Sequence, residues 1–484
     1  MAFNPSLSYF VERLSGFSTN VFRLESANKS TATSSDIISF DLPANAILNL
    51  RSFTVHFQAD CNETAAAGAR LPAGIEGLFE RVEVIAGGIT LSQGTNFYNV
   101  LRNAKDCLMG SHVNSVLGHP AIVREKSYVD GNGCTETTAA GAAITAAENE
   151  GYPTANNQAQ FAVDYWDGFL GSAEPRLLDS SLLPDLKVRI YMATDNVLSS
   201  SASVALTAAG FQAVGTAAGK YKLNNIYATI ECVNLADATY DSMINDMLQN
   251  QGYIEVPFKS YYTFNDSHGG STRWSVASQS VDRVWSAWRI AGYNAQLKPL
   301  VVNGYKTVGA FVSAGEITGS DLDGTGNNTA GRSIGQDMGK SQYDIGSVVG
   351  LNNNCERYIG QYFNFVEPAA TALYQLQLNG ANIPQAKMRS EPMYQISKNS
   401  TQGYHMEHQK SLDQYKNNFF VQAVRLNLPD SEYSRLISGL DTRAVNLQGS
   451  LNTDNVTGSP NVILFVECTA SLKIGAGRAI EIIH

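Results

Sequence analysis

Charge is scarce in this chain. Of 484 residues only 16% are Asp, Glu, Lys or Arg, against about a quarter in ordinary globular proteins, and the basic residues form no run. Holding a phosphate backbone needs clustered Lys and Arg, and the net charge here is −10. Direct nucleic-acid binding, sequence-specific binding included, is not expected of the bulk of the chain. No window approaches the roughly 18 apolar residues of a membrane-spanning helix. The opening MAFNPSLSYFVERLSGF has neither the basic start nor the apolar run of a signal peptide. Paired cysteines are missing too: Cys61, Cys107, Cys134, Cys232, Cys355 and Cys468 stand singly, with no CxxC. A chain of this length needs no disulfide staples, so reduced thiols in an intracellular setting are expected. Cys232 and Cys468 fall inside apolar alternations and read as small buried hydrophobes.

Signatures of catalysis and metal binding are as thin. Gly331-Arg332-Ser333-Ile334-Gly335 matches a nucleophile elbow, which works only where a strand turns sharply into a helix; both flanks read as loop. Asp321-Leu322-Asp323-Gly324-Thr325-Gly326-Asn327 begins like a calcium loop, but the twelfth position, where a bidentate Glu belongs, is Arg332. His405-Met406-Glu407-His408 has the wrong order for a zinc helix and reads as surface histidines. The histidines at 56, 112, 119, 268 and 484 form no cluster. P-loop and GxGxxG patterns are absent. The Asn-x-Ser/Thr sites at Asn28, Asn62, Asn265, Asn327, Asn399 and Asn455 read as a product of composition. No catalytic, cofactor-binding or metal-ligating residue is nominated, no cofactor is expected, and the chain is not expected to be an enzyme. Paired carboxylates of the glycosidase kind would leave no local signature, because their partners lie far apart in sequence.

What the chain has instead is Ser, Thr, Asn, Gly, Ala and aromatics, with 22 Tyr and 20 Phe, and a period of two. In SFTVHF (52–57), Phe53, Val55 and Phe57 share one face. In 226–232, Ile226, Ala228, Ile230 and Cys232 do so, and toward the end Val462, Leu464, Val466, Cys468, Ala470 and Leu472. This is the mark of strands with one buried side. Further strands are expected at 37–42, 188–193, 253–258, 272–290 and 419–428. VEVIAGGITL (82–91) reads as a hairpin turning at Gly87-Gly88, where two glycines supply positive φ. Helical spacing is rare. Tyr240, Met243, Ile244, Met247 and Leu248 mark a helix over 237–249, with Asn234 or Asp237 as cap and Gly252 after its end. A second short helix is expected at 429–438, opened by Pro429, Asp430 and Ser431.

Three segments poor in charge and periodicity, 131–160, 199–220 and 313–350, are long loops. The organisation that follows is an N-terminal arm (1–34), a first β half (35–235), a linking helix (236–251) and a second β half (252–484). Short alternating strands, long loops and few helices indicate all-β antiparallel sandwiches.

Three stretches go further: FAVDYWDGFLGSAEPRLLDSSLLPDLKVRIYMATDNVL (161–198), NNIYATIECVNLADATYDSMINDML (224–248), and YIEVPFKSYYTFNDS with TRWSVASQSVDRVWSAWR (253–288). In this order they resemble the double jelly-roll major capsid proteins of polinton-like viruses and virophages, most strongly over 161–290. The resemblance implies two tandem eight-stranded jelly rolls and a homotrimer whose six sandwiches form a pseudo-hexameric capsomer. Such capsomers tile an icosahedral shell in the virion, made and assembled inside the host cell. It implies as partners neighbouring capsomers, penton and minor capsid proteins, and an internal membrane beneath the shell in some members.

On that reading the three long loops are outer protrusions or intersubunit clasps. Leu7, Phe10, Val11 and Leu14, at helical spacing, suit either an arm gripping a neighbour, minor protein or membrane, or a helix packed on its own chain. The acidic net charge calls for a lipid layer or basic minor proteins between shell and genome. The rival reading is a receptor-binding spike or a carbohydrate-binding or glycoside-acting β-sandwich, for which the four tryptophans would be the sugar-stacking candidates.

Overall fold

The alternation at 226–232 builds the spine of the first half. In the computed structural model, Ile226, Ala228, Ile230 and Cys232 of the strand Lys222–Leu235 point into the core, while Tyr227, Thr229 and Glu231 lie half-buried on the other face. The structure describes residues 17–60, 69–70, 72, 74–91, 96–109, 159–200, 220–235, 238–294, 300–302, 357–359, 361–401, 415–416, 419–428, 439–443, 448–456 and 458–484. Along one edge Lys222–Leu235 pairs with Thr54–Asp60 and Ile47–Asn49. Along the other it pairs with Phe17–Glu25 and Ala32–Thr33. Ala159–Val163 and Leu177–Asp179 complete a seven-stranded antiparallel sheet. Asn225, at φ 51°, sits in the bulge between Asn224 and Tyr227, a backbone state that Asn tolerates well. Residues 17–25, which composition alone assigns to a terminal arm, are an edge strand of this sheet.

The facing layer has the order Ile37–Asp41, Leu186–Met192, Phe79–Ala86, Ile89–Thr90. Its last two strands turn at Gly87 and Gly88, both at positive φ (55° and 86°), as the glycine pair requires. Phe53, Phe57, Phe79 and Trp166 fill the space between the layers, with ring centroids 5.8–5.9 Å apart.

The helix Ala238–Gln251 follows and ends at Gly252, φ +79°, whose N–H bonds the Leu248 carbonyl. The second half then opens with Tyr253–Ser267, paired residue for residue with Asn461–Gly475. Val281–Arg289 and Val421–Arg425 extend this five-stranded sheet, with Ile480–Ile483 on its margin. The opposing four-stranded layer runs Ser271–Ser275, Gln448–Asp454, Leu373–Leu378, Ala381–Met388.

The structure corrects three local expectations. The run 272–290 is two strands in two layers, Ser271–Ser275 and Val281–Arg289. Between them Thr442 bonds the backbone at Val276 and Ser278. A period of two persists through such a crossing, so it does not reveal the change of sheet. Val462–Cys468 is buried on both faces, because its second face carries Ile463, Phe465 and Glu467 and is covered instead of solvated. Helices are also more numerous than their spacing announces: Tyr98–Met109 and Ser390–Thr401 flank the same sheet. Of the expected elements, the helix at 429–438 and nearly all of the three long loops lie outside the described residues. Ala159–Gln160 and Ser199–Ser200, at loop margins, are strand.

Candidate functional site at the seam between the halves

On the outer face of the five-stranded sheet, strand register sets Tyr261, Glu467 and Arg283 side by side across three strands. The bulge between Val281 and Arg283 leaves Asp282 unpaired in the ladder. Its carboxylate receives Lys259 Nζ at 2.6 Å, Thr469 Oγ1 at 2.5 Å and Ser280 Oγ at 2.7 Å. Glu467 accepts the indole N–H of Trp285 at 3.0 Å and lies 3.8 Å from Arg283.

The first half brings its own charges to this face. The helix Tyr98–Met109 carries Arg102 and Lys105 one turn apart, and both are buried. Asp167 comes from the turn after Trp166, where its N–H donates to Tyr98 Oη at 3.0 Å. Lys105 Nζ bonds Asp167 at 2.5 Å and, across the seam, Tyr261 Oη at 2.6 Å. Arg102 stands 3.1 Å from Asp106 and 3.6 Å from Asp167 and lies over the Tyr165 ring. Nearby, Phe258 packs edge-on against Phe169 of the short helix Phe169–Ser172. That helix can form because Gly168 takes φ +83° and because Gly171 has no Cβ, which would strike the Trp166 carbonyl.

Four cations (Arg102, Lys105, Lys259, Arg283) thus face four acids (Asp106, Asp167, Asp282, Glu467). At Arg102, Lys105, Asp167 and Glu467 burial penalises the charge, yet the pairing prevails. Burial alone would raise the Asp167 carboxyl, but Lys105 and Arg102 hold it below its ordinary value. Burial would raise Glu467 as well, but Arg283, Lys105 and Lys259 together hold it at about 2. Lys105, which burial would lower, is raised well above its usual range by Asp167, Tyr261 and Glu467. Acid–base chemistry needs a group that can change protonation near working pH. This cluster does the reverse: it holds Asp167, Glu467, Arg102 and Lys105 in their charged forms and cross-links the halves.

A second polar knot lies in the four-stranded layer. The fully buried His268 contacts Thr272 Oγ1 at 2.7 Å through Nδ1 and Thr453 Oγ1 at 2.6 Å through Nε2; Thr272 in turn donates to Asp266. Burial lowers the imidazole pKa, with Asp266 opposing, so His268 is neutral and serves as a buried pin. His56 stacks on Tyr227 at 4.8 Å, and His484 Tyr262 edge-on.

The motifs at 321–332, 331–335 and 405–408 lie outside the described residues. Among the described residues no group of His, Cys, Asp and Glu could hold a metal ion. Cys232 and Cys468 carry free thiols, and burial pushes the Cys468 thiol up to about 12. Trp166, Trp274, Trp285 and Trp288 are all at most 3% exposed, so none offers a face to a sugar. The seam went unseen in sequence because its charges are scattered from 102 to 467. Its one local signal is the spacing of Tyr98, Leu101, Arg102, Lys105 and Leu108.

No protein-family model matches the chain, and no curated protein matches it. Solved structures do. Over 98% of this chain and 98% of the other, it is similar to PBCV-1 VP54, in a crystal structure fitted into a reconstruction of the virophage Sputnik (TM-score 0.54, 12% identity). It is similar over the same shares to the chain in a quasi-atomic model of the PBCV-1 capsid (TM-score 0.51, 12% identity). The Faustovirus major capsid protein matches 96% of this chain over 92% of its own length (TM-score 0.53, 11% identity). With two antiparallel sandwiches in tandem, the chain has the double jelly-roll fold of viral major capsid proteins.

Proposed function

We propose that this chain is the major capsid protein of an icosahedral virus and that three copies form a capsomer of pseudo-hexagonal outline. The observation that carries the reading is the pair of sandwiches locked by a buried ionic seam within one chain. A rigid two-lobed subunit presents two similar bodies at a fixed angle, so a threefold axis generates six. A flexible tether would not hold that outline. Full-length correspondence with capsid proteins supports the same reading.

In this reading the chain's activity is assembly, and no residue is catalytic or binds a cofactor. Residues 35–235 and 252–484 are the two jelly rolls, 236–251 the join, and 1–34 begin as a contact arm whose later part is built into the first sheet. Trimer contacts of this kind bury on the order of 2,000–5,000 Å², which suits a chain poor in charge and rich in Tyr, Asn and Thr. Neighbouring capsomers, penton and minor capsid proteins are the partners, and a lipid layer or basic proteins separate the acidic shell from the genome. The location is the virion. Light scattering on the purified chain tests this: a particle of about three times 52.2 kDa, or a shell, is expected. A stable monomer that binds or hydrolyses glycans would overturn it.

A further inference from the structure

Each cation of the seam faces an acid, but Arg289 does not. It ends the strand Val281–Arg289 and is 1% exposed. Its Nε and Nη2 both donate to one oxygen, Asn461 Oδ1, at 3.1 and 2.9 Å, and Nη1 reaches the Tyr362 carbonyl at a long 3.4 Å. The guanidinium is flanked by the rings of Tyr293 and Tyr362, 3.6 and 4.9 Å from their centroids. These neighbours are all neutral, and among the described residues no carboxylate is paired with it. Of the five N–H donors of an arginine, two have no bond among the described residues. Aromatic faces and amide oxygens offset a buried charge only in part.

An acid of the first half, Glu80, is itself partly buried and pushed up by that burial. It acts on the Tyr362 hydroxyl, and among the described residues no ion pair joins it to Arg289. Tyr293, whose ring covers one face of the guanidinium, is half-buried on an otherwise exposed turn, Ala291–Asn294.

We propose that Arg289, with Tyr293 and Tyr362, is a receiving site for a carboxylate side chain presented by a second copy of this chain. The inference rests on the capsid reading above. The occupant follows from charge: acids outnumber bases 44 to 34, so each copy brings surplus carboxylates to a contact that lacks one. The guanidinium fork suits a bidentate carboxylate, and the weakly held Nη1 is the donor free to turn toward it.

The test compares wild type with Arg289→Met, which keeps the stem's volume and removes the charge. In the chain diluted below its assembly threshold, the variant should have a thermal midpoint equal to or above wild type, because an unpaired buried charge has gone. Its assembly should need at least about tenfold higher concentration, since a buried charge pair across a contact is lost. A lowered midpoint in the unassembled variant would mean that Arg289 is already satisfied within its own chain and would overturn the proposal. So would assembly at wild-type concentration. Stabilisation of unassembled wild type, but not of the variant, by millimolar acetate or phosphate would assign the site to a free anion and reject the second copy. A wild type that stays monomeric refutes the capsid reading itself, before any variant is compared.

Discussion

Lys105→Met tests whether the seam holds the two halves as one body. The substitution keeps the aliphatic stem and deletes the ammonium that joins Asp167 of the first half to Tyr261 of the second. Among the described residues Asp167 would keep only Arg102 as a charged partner, at 3.6 Å, in a largely buried setting. Removing one partner of a buried ion pair costs about 3–5 kcal/mol, and the Tyr261 hydroxyl loses a donor as well. Urea unfolding followed by tryptophan fluorescence, with proteolysis of the strand Tyr253–Ser267, reads the outcome. Wild type should unfold in a single transition. The variant should lose about 3–5 kcal/mol and resolve into two transitions, one for each half. Replacing both charges, Lys105→Met with Asp167→Leu, should recover more than half of the loss, because an apolar pair of similar volume is close to neutral. A single variant within about 1 kcal/mol of wild type, the size of one ordinary hydrogen bond, would refute the lock.

Acid should spare the seam until unusually low pH. Glu467 has a folded pKa of about 2 against an ordinary 4.5, and Asp167 is shifted the same way. Depressed carboxyls give stability that is complete above the unfolded value and is lost as pH falls from about 4.5 toward 2; denaturation midpoints measured across that range check it. His268 acts at milder pH. Its lowered pKa means that stability is full above about 6.5 and declines below it, and His268→Gln should flatten that slope in the same titration. Gly449→Ala should cost about 1–3 kcal/mol by calorimetry, since the new Cβ would fall 2.1 Å from the Trp274 ring. A truncation that removes Phe17–Glu25 should aggregate on gel filtration, because it bares the edge of Lys222–Leu235 along nine residue pairs.

Strand after strand was legible because burial on one side imposes a period of two, as at Ile226–Cys232, and the Gly87-Gly88 hairpin because only glycine takes both positive φ angles cheaply. The helix Tyr98–Met109 was not legible. Asn99, Arg102, Asn103 and Asp106 do recur along it at three- and four-residue steps, but the fold buries most of that polar stripe and pairs Arg102 and Lys105 with acids, which no local pattern announces. In Ser390–Thr401 the hydroxyls of Ser397 and Ser400 bond carbonyls one turn back and also accept the N–H groups of Ala423 and Arg425. That composition reads as loop in sequence, yet it ties the helix to an edge strand. The seam shows the general limit. Alternation marks Glu467, Thr469 and Ser471 as a polar face, but whether such a face meets water or another half depends on partners hundreds of residues away.

The central claim is a rigid two-sandwich subunit that assembles in threes. Electron microscopy of the purified chain tests it most directly. Class averages should show particles with six similar lobes in a hexagonal outline and a threefold axis, alone or as facets of a shell. Single two-lobed particles with a variable angle between the lobes, or rings of another symmetry, would contradict it.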